Sequence, residues 1–291
     1  MHRTSLVATL LFAGACLASD APPVTIPDTE QWDVRSNDGL DYRVFVSGPA
    51  GKAPPGGWPV IYLTDGNVNF LILHAAVRRL GPAVVVGVGY PEKETTTHHE
   101  RRAFDLTSAQ SDAVRKRFPP GGLVKKTGGN DRFLAFLEDE VKPRVERRFP
   151  IDKTRQALFG HSLGGSFALH VLFTKPAAFQ TYVASSPSLW WNDNDIRKEE
   201  DAFVSKHAAG VQARLLVTVG GWEEQPGPGV APEVAAVLRD HKMVTRAKEM
   251  VDRLKTVKGL TVAYREFAEE DHASVLLPAA GRGVRFALDR P

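Results

Sequence analysis

The segment Gly160-His161-Ser162-Leu163-Gly164-Gly165 constrains the fold more than any other part of the chain. The apolar run QALF leads into it and SFALHVLF leads out, so a strand must turn sharply into a helix at Ser162. The glycines have a steric reason. At such a turn the serine backbone is strained, and a side chain on either flank would collide with the neighbouring strand or helix.

The same strand-then-helix unit recurs along the chain. Residues 41–48, DYRVFVSG, alternate apolar and polar side chains and read as a half-buried strand. The runs at 60–63, 83–89, 156–160, 182–186, 214–220 and 260–267 are mostly continuous and apolar, as expected where helices cover both faces of a sheet. Among the helical patterns, 131–149 is the clearest. Phe133, Phe136, Leu137, Val141 and Val145 recur at three- and four-residue spacing, and Pro143 should kink or shorten that helix. Similar amphipathic stretches cover 163–174, 233–257 and 274–288. Strands alternating with helices imply an α/β fold with a mostly parallel central sheet flanked by helices. No internal repeat or mid-chain composition break divides the 291 residues, so a single domain is expected over 31–291.

The first eighteen residues, MHRTSLVATLLFAGACLA, have a short basic start and an apolar run too short to cross ~30 Å of hydrocarbon comfortably. They read as a signal peptide, followed by a proline-marked linker over 19–30. The expected location is therefore periplasmic or secreted. Ala13-Gly14-Ala15-Cys16 loosely resembles a lipoprotein box, which would make Cys16 a lipid anchor. Because Cys16 is the only cysteine, an intrachain disulfide and a CxxC zinc site are excluded. A net charge of +3 is too small to suggest a nucleic-acid partner, and no further stretch is long and apolar enough to be a transmembrane segment.

Strand, Gly-x-Ser-x-Gly and helix in succession form the context of a nucleophile elbow. A serine hydroxyl is a poor nucleophile at neutral pH, so a base must take its proton and an acid must hold the base in the right tautomer. His272 lies between the last strand pattern and the last helix, where the base belongs. His241 sits in a charged helical stretch and reads as solvated. For the acid, the strand at 214–220 ends in Gly220-Gly221-Trp222-Glu223-Glu224. Glu223 is the first choice and Glu224 the second; Asp271 is weaker because side chains adjacent in sequence diverge. The developing oxyanion needs N–H donors, expected from the amide of Leu163 and, in the turn Asp65-Gly66-Asn67, from that of Asn67. No metal or other cofactor is called for: His98-His99 lacks a third ligand at a suitable spacing and reads as a solvated pair.

With these residues in place, the chain resembles the esterase D family of α/β-hydrolases. Within it, the likeness is to bacterial siderophore esterases that cleave ferric enterobactin-type trilactones. The resemblance is carried by YLTDGNVNF at 62–70, VGVGYP at 86–91, RRAFDLTSA at 101–109, GHSLGGSFALHVLF at 160–173, ASSPSLWW at 184–191, VGGWEE at 219–224 and DHASVLLPAAGRGVRFAL at 271–288. It implies an α/β-hydrolase fold and catalytic roles for Ser162, His272 and Glu223, with Asn67 and Leu163 as oxyanion donors.

The expected partner is a small-molecule ester, with a catecholate siderophore first. Residues 98–132 carry eight basic side chains against four acidic ones, a basic mouth suited to an anionic ferric complex. Arg102 is the expected direct contact, and Trp190 and Trp191 are candidates for an aromatic wall, one of them more suited to the core. The alternatives are a general carboxylic or feruloyl-type esterase, a thioester hydrolase acting on S-formylglutathione, or a siderophore-binding protein that keeps the fold without hydrolysis.

Overall fold

A computed structural model describes residues 25–91, 95–116, 126–207 and 210–289. The proposed leader at 1–18, including Cys16, and the first half of the linker, 19–24, lie outside the described residues. Among the described residues eight strands form one sheet: β1 Thr29–Arg35, β2 Asp41–Ser47, β3 Trp58–Leu63, β4 Val84–Gly89, β5 Ile151–His161, β6 Thr181–Ser185, β7 Ala213–Gly220 and β8 Leu260–Phe267. Their spatial order is β1-β2-β4-β3-β5-β6-β7-β8. β2 runs antiparallel to both its neighbours, and every pair from β4 onward is parallel. The helices are α1 Gly66–Leu80, α2 Thr95–Leu106, α3 Asp112–Arg115, α4 Asn130–Phe136, α5 Lys142–Arg148, α6 Leu163–Thr174, α7 Ile196–Lys206, α8 Pro232–His241, α9 Met243–Leu254 and α10 Leu276–Leu288. None of the described helices is long and apolar enough to cross a membrane.

Side-chain alternation along the strands divides the core between the two sheet faces. Val60, Tyr62 and Leu158 join one cluster with Phe133, Phe167 and Met250. Ile61, Leu63, Ala157 and Phe159 join the other, beneath α1 and α10 with Leu73, Val77, Ala280 and Val284. Burial on both faces explains why these strands read as unbroken apolar runs rather than as alternating ones.

Several expectations need correction. The linker does not extend through residue 30, because β1 begins at Thr29; it is an edge strand burying only Val34, so its sequence carries no apolar pattern. Helix α6 is not amphipathic: residues 167–173 are all buried, since other helices cover the side facing away from the sheet. The stretch 233–257 is two helices, parted where Lys242 adopts a left-handed backbone (φ 49). Pro143 interrupts its helix by widening it: a π-helical turn at Leu137–Val141 precedes α5, which relieves the clash of the proline ring with the preceding turn. Polar α2 and α7 were not recognisable from periodicity, because they lie on other helices and need few apolar contacts.

One buried group ties the outer helices together. His170 of α6 meets Glu199 of α7 at 2.9 Å through Nδ1 and Asp131 of α4 at 3.1 Å through Nε2. Burial alone would lower its pKa, but the hydrogen bond and charge of Glu199, with the charge of Asp131, outweigh burial and raise it. The folded state thus favours imidazolium. The stabilisation is complete below the unfolded value of ~6.5 and is lost as pH rises through the higher folded value. Urea midpoints should therefore fall between pH 6 and pH 8 more steeply in the wild type than in His170→Gln. Identical pH dependence in the two proteins would remove the histidine from this role.

Candidate active site

In open α/β sheets the working site lies at the carboxyl ends of the parallel strands, and three of those ends converge here. β5 ends at His161, and Ser162 follows with φ 61 and ψ −123 before α6 begins. This conformation is costly for any residue with a side chain. It is held by the Ser162 amide donating to the Ser185 carbonyl at 2.9 Å, which anchors the elbow to β6. The glycines are required: a Cβ on Gly160 would overlap the Gly164 carbonyl, and one on Gly164 would overlap the Thr64 hydroxyl.

His272 comes from the loop between β8 and α10. Its Nε2 is 3.0 Å from Ser162 Oγ, and its Nδ1 is 2.6 Å from Glu223 Oε2. Glu223 follows β7 in a short 3-10 turn and is 1% exposed. Its other oxygen accepts from the Ser186 hydroxyl and the Gly220 amide, both at 2.6 Å. The carboxylate is therefore fully engaged and aimed at one ring nitrogen. The other two carboxylates point elsewhere. Glu224 accepts from the amide and hydroxyl of Thr245 at 2.7 and 2.6 Å, capping α9. Asp271 accepts from the amides of Ala273 and Ser274, both at 2.8 Å, and so shapes the loop that carries His272.

Asn67 and Leu163 occupy the first turns of α1 and α6, where amides have no acceptor within their own helix. Both are thus suited to receive an external oxygen. A cleft of about 750 Å³ lies over Ser162 and His272 and is lined also by Asn67, Val68, His99 and Leu276. His161, between the elbow glycine and Ser162, packs its ring 4.9 Å from that of His272. Burial, reinforced by the nearby His272, pushes its pKa down to about 4. At neutral pH it adds no positive charge to compete with an imidazolium at His272.

The expected substrate contacts are arranged differently. Arg102 borders the cleft, but its guanidinium is committed to Asp65 through Nε at 2.6 Å and Nη2 at 3.1 Å. Trp191 is core, 8% exposed, beside a small internal cavity that Leu163 also lines. Trp190 stacks on His241 at 4.3 Å and 6° and is not among the residues that line the cleft, and His241 is half-buried rather than solvated. Part of the basic mouth is likewise engaged within the fold. Arg132 pairs with Asp38 and Asp105, Arg101 lies over the rings of Tyr42 and Tyr90, and Arg117 and Lys125 lie outside the described residues. His98 and His99, read as a solvated pair, line the cleft, with His98 edge-on to Tyr90 at 5.1 Å.

Four contributors escaped sequence reasoning: Asp65, Ser186, His161 and Arg43. Asp65 carried only a turn signal beside Gly66, and Ser186 was one serine among several in ASSPS. His161 was visible only as the variable position of the elbow. Arg43 reaches the cleft from β2, and nothing local marks it.

A family model described as "Putative esterase" matches residues 38–268. The chain is 39% identical over 276 residues to the ferri-bacillibactin esterase BesA of Bacillus subtilis, covering 91% of each protein. It is 36% identical over 291 residues to the siderophore triacetylfusarinine C esterase of Aspergillus fumigatus, covering 90% of this chain and 94% of the relative. Among solved structures, the siderophore hydrolase EstB from Aspergillus nidulans superposes with a TM-score of 0.79 at 34% identity, over 90% of this chain and 96% of that one.

Proposed function

Because the chain belongs to this esterase family and is a carboxylic ester hydrolase, we propose that it cleaves the ester bonds of a ferric siderophore, a catecholate trilactone first, through an acyl-enzyme on Ser162. The observation that carries the reading is the hydrogen-bonded series Ser162–His272–Glu223 at the floor of the cleft. The names of the relatives support the substrate class, since BesA is named for ferri-bacillibactin and the Aspergillus fumigatus enzyme for a siderophore ester. The order of motifs also supports placement in the esterase D branch.

In this reading Ser162 Oγ attacks the ester carbonyl as His272 Nε2 takes its proton. Glu223 holds the Nδ1–H tautomer and stabilises the imidazolium that forms. The carbonyl oxygen becomes negative between the amides of Asn67 and Leu163. His272 then gives the proton to the departing alcohol oxygen, leaving an acyl group on Ser162. A water, deprotonated by the same nitrogen, attacks that acyl group and releases the acid. The leader-like residues 1–18 support export of this activity from the cytoplasm.

The test compares kcat/KM for a ferric enterobactin-type trilactone with that for a short-chain nitrophenyl ester. The trilactone should be preferred by at least about tenfold. Cleavage of the acyl ester alone would retire the siderophore reading in favour of a general esterase, and cleavage of neither ester would retire hydrolysis itself.

A further inference from the structure

Asp65 stands where a residue ordinarily caps a helix. It precedes Gly66 at the start of α1, and an aspartate in that place normally accepts a hydrogen bond from the amide of the second or third helical residue. The second is Asn67. Here the Asp65 side chain makes no capping bond, and its backbone is left-handed (φ 56). The carboxylate, 7% exposed, is instead turned to Arg102 of α2 and held by two N–H groups. Other acceptors near Asn67 are occupied as well. The Asp65 carbonyl takes the amides of Val68 and Asn69 at 2.9 Å, and the Asn67 side-chain oxygen accepts from the Tyr90 amide at 2.7 Å.

The pair also matters electrostatically. Asp65 Oδ2 lies 3.3 Å from where a Cβ on Gly164 would be, so the carboxylate sits against the first turn of α6. An uncompensated anion there would oppose the negative charge that develops on an ester oxygen bound between Asn67 and Leu163. Arg102 cancels it, and its Nη2 also donates to the His161 carbonyl at 3.4 Å. One guanidinium thus spans the turn after β3 and the elbow after β5.

We infer that Arg102 and Asp65 form a positioning pair: Arg102 holds the Asp65 carboxylate away from the Asn67 amide and neutralises it, leaving that amide open to the oxygen that becomes negative. The inference rests on the Ser162 site proposed above. It gives Arg102 a role independent of substrate charge, whereas a direct contact to an anionic siderophore would act only on charged substrates.

A neutral ester, 4-nitrophenyl acetate, separates the two roles. Arg102→Gln should lower kcat about 10- to 100-fold, less than the roughly 10²- to 10³-fold cost of losing an oxyanion donor outright, with KM close to wild type. Adding Asp65→Gly removes the freed carboxylate with a residue that accepts φ 56 without strain. The double variant should recover at least about tenfold of the lost kcat if the charge is the cause. A merely structural defect would leave it no faster than the single variant. Wild-type kcat in Arg102→Gln, or no recovery in the double variant, overturns the pair. If Arg102→Gln fails to fold by circular dichroism, Arg102→Lys keeps the charge and loses the fork. It should lower kcat less than tenfold without raising KM, and a change in KM alone would overturn the inference. Ser162→Ala, measured alongside, keeps the outcomes apart. Full activity there overturns the site and the pair together, whereas an inactive Ser162→Ala with a normal Arg102→Gln overturns the pair alone.

Discussion

Ser162→Ala should lose about 10⁴- to 10⁶-fold in kcat toward 4-nitrophenyl acetate while remaining folded. The hydroxyl is the atom proposed to form the acyl bond, and nothing else along the elbow replaces it. His161, the ring next in line, has its Nδ1 at 3.1 Å from Ser185 Oγ. The elbow should survive the change, because its geometry is set by Gly160, Gly164 and the Ser162 amide bond to Ser185, none of which involves the hydroxyl. The measurement is kcat with circular dichroism as the folding control. Retention of more than a few per cent of wild-type turnover in a folded variant would falsify the nucleophile.

Glu223→Gln should cost roughly 10³- to 10⁴-fold in kcat with a much smaller change in KM. The amide oxygen can keep the bonds from Ser186 and Gly220, which leaves an NH₂ group facing His272 Nδ1. The imidazole must then accept at Nδ1 and carry its proton on Nε2, where it cannot take one from Ser162. The wrong tautomer, rather than a lost contact, is the source of the loss. Glu224→Gln is the matched control. That carboxylate caps α9 through Thr245, so kcat should stay near wild type. Equal activity in both variants would leave a Ser162–His272 dyad as the machinery.

Legibility differed across the molecule for identifiable reasons. The apolar runs in β3 to β7 were visible because they are buried on both sheet faces and hold mostly apolar side chains, whereas β8 lies at the far edge with only Leu260 buried. The edge strand β1 and helices α2 and α7 were not visible, since each holds few apolar residues and buries few of its described side chains. The break between α8 and α9 turns on one left-handed residue, Lys242, a type that gives no warning of that conformation. The basic segment at 98–132 was visible as charge but not as potential, because Asp38 pairs from outside it with Arg132, and Asp65 with Arg102.

What the sequence determined by itself was local. Glycines at 160, 164 and 165 around Ser162 admit one kind of turn, since the forbidden contacts lie within a few residues or in the adjoining strand ends. The order of apolar runs then requires an α/β sheet, and the position of His272 between the last strand and the last helix brings it to the same sheet edge. Tertiary structure alone decided the partners. Of Glu223, Glu224 and Asp271, only Glu223 faces His272, although all three are near a strand end. Arg102 meets Asp65, 37 residues earlier, instead of standing free in the cleft. Trp190 and Trp191, adjacent in sequence and with rings 6.0 Å apart, differ in role: one stacks half-buried on His241 and the other belongs to the core. The physical reason is the same in each case. A side chain's partner depends on its direction and burial where distant segments meet, and neither is encoded in the residue type or in its neighbours along the chain.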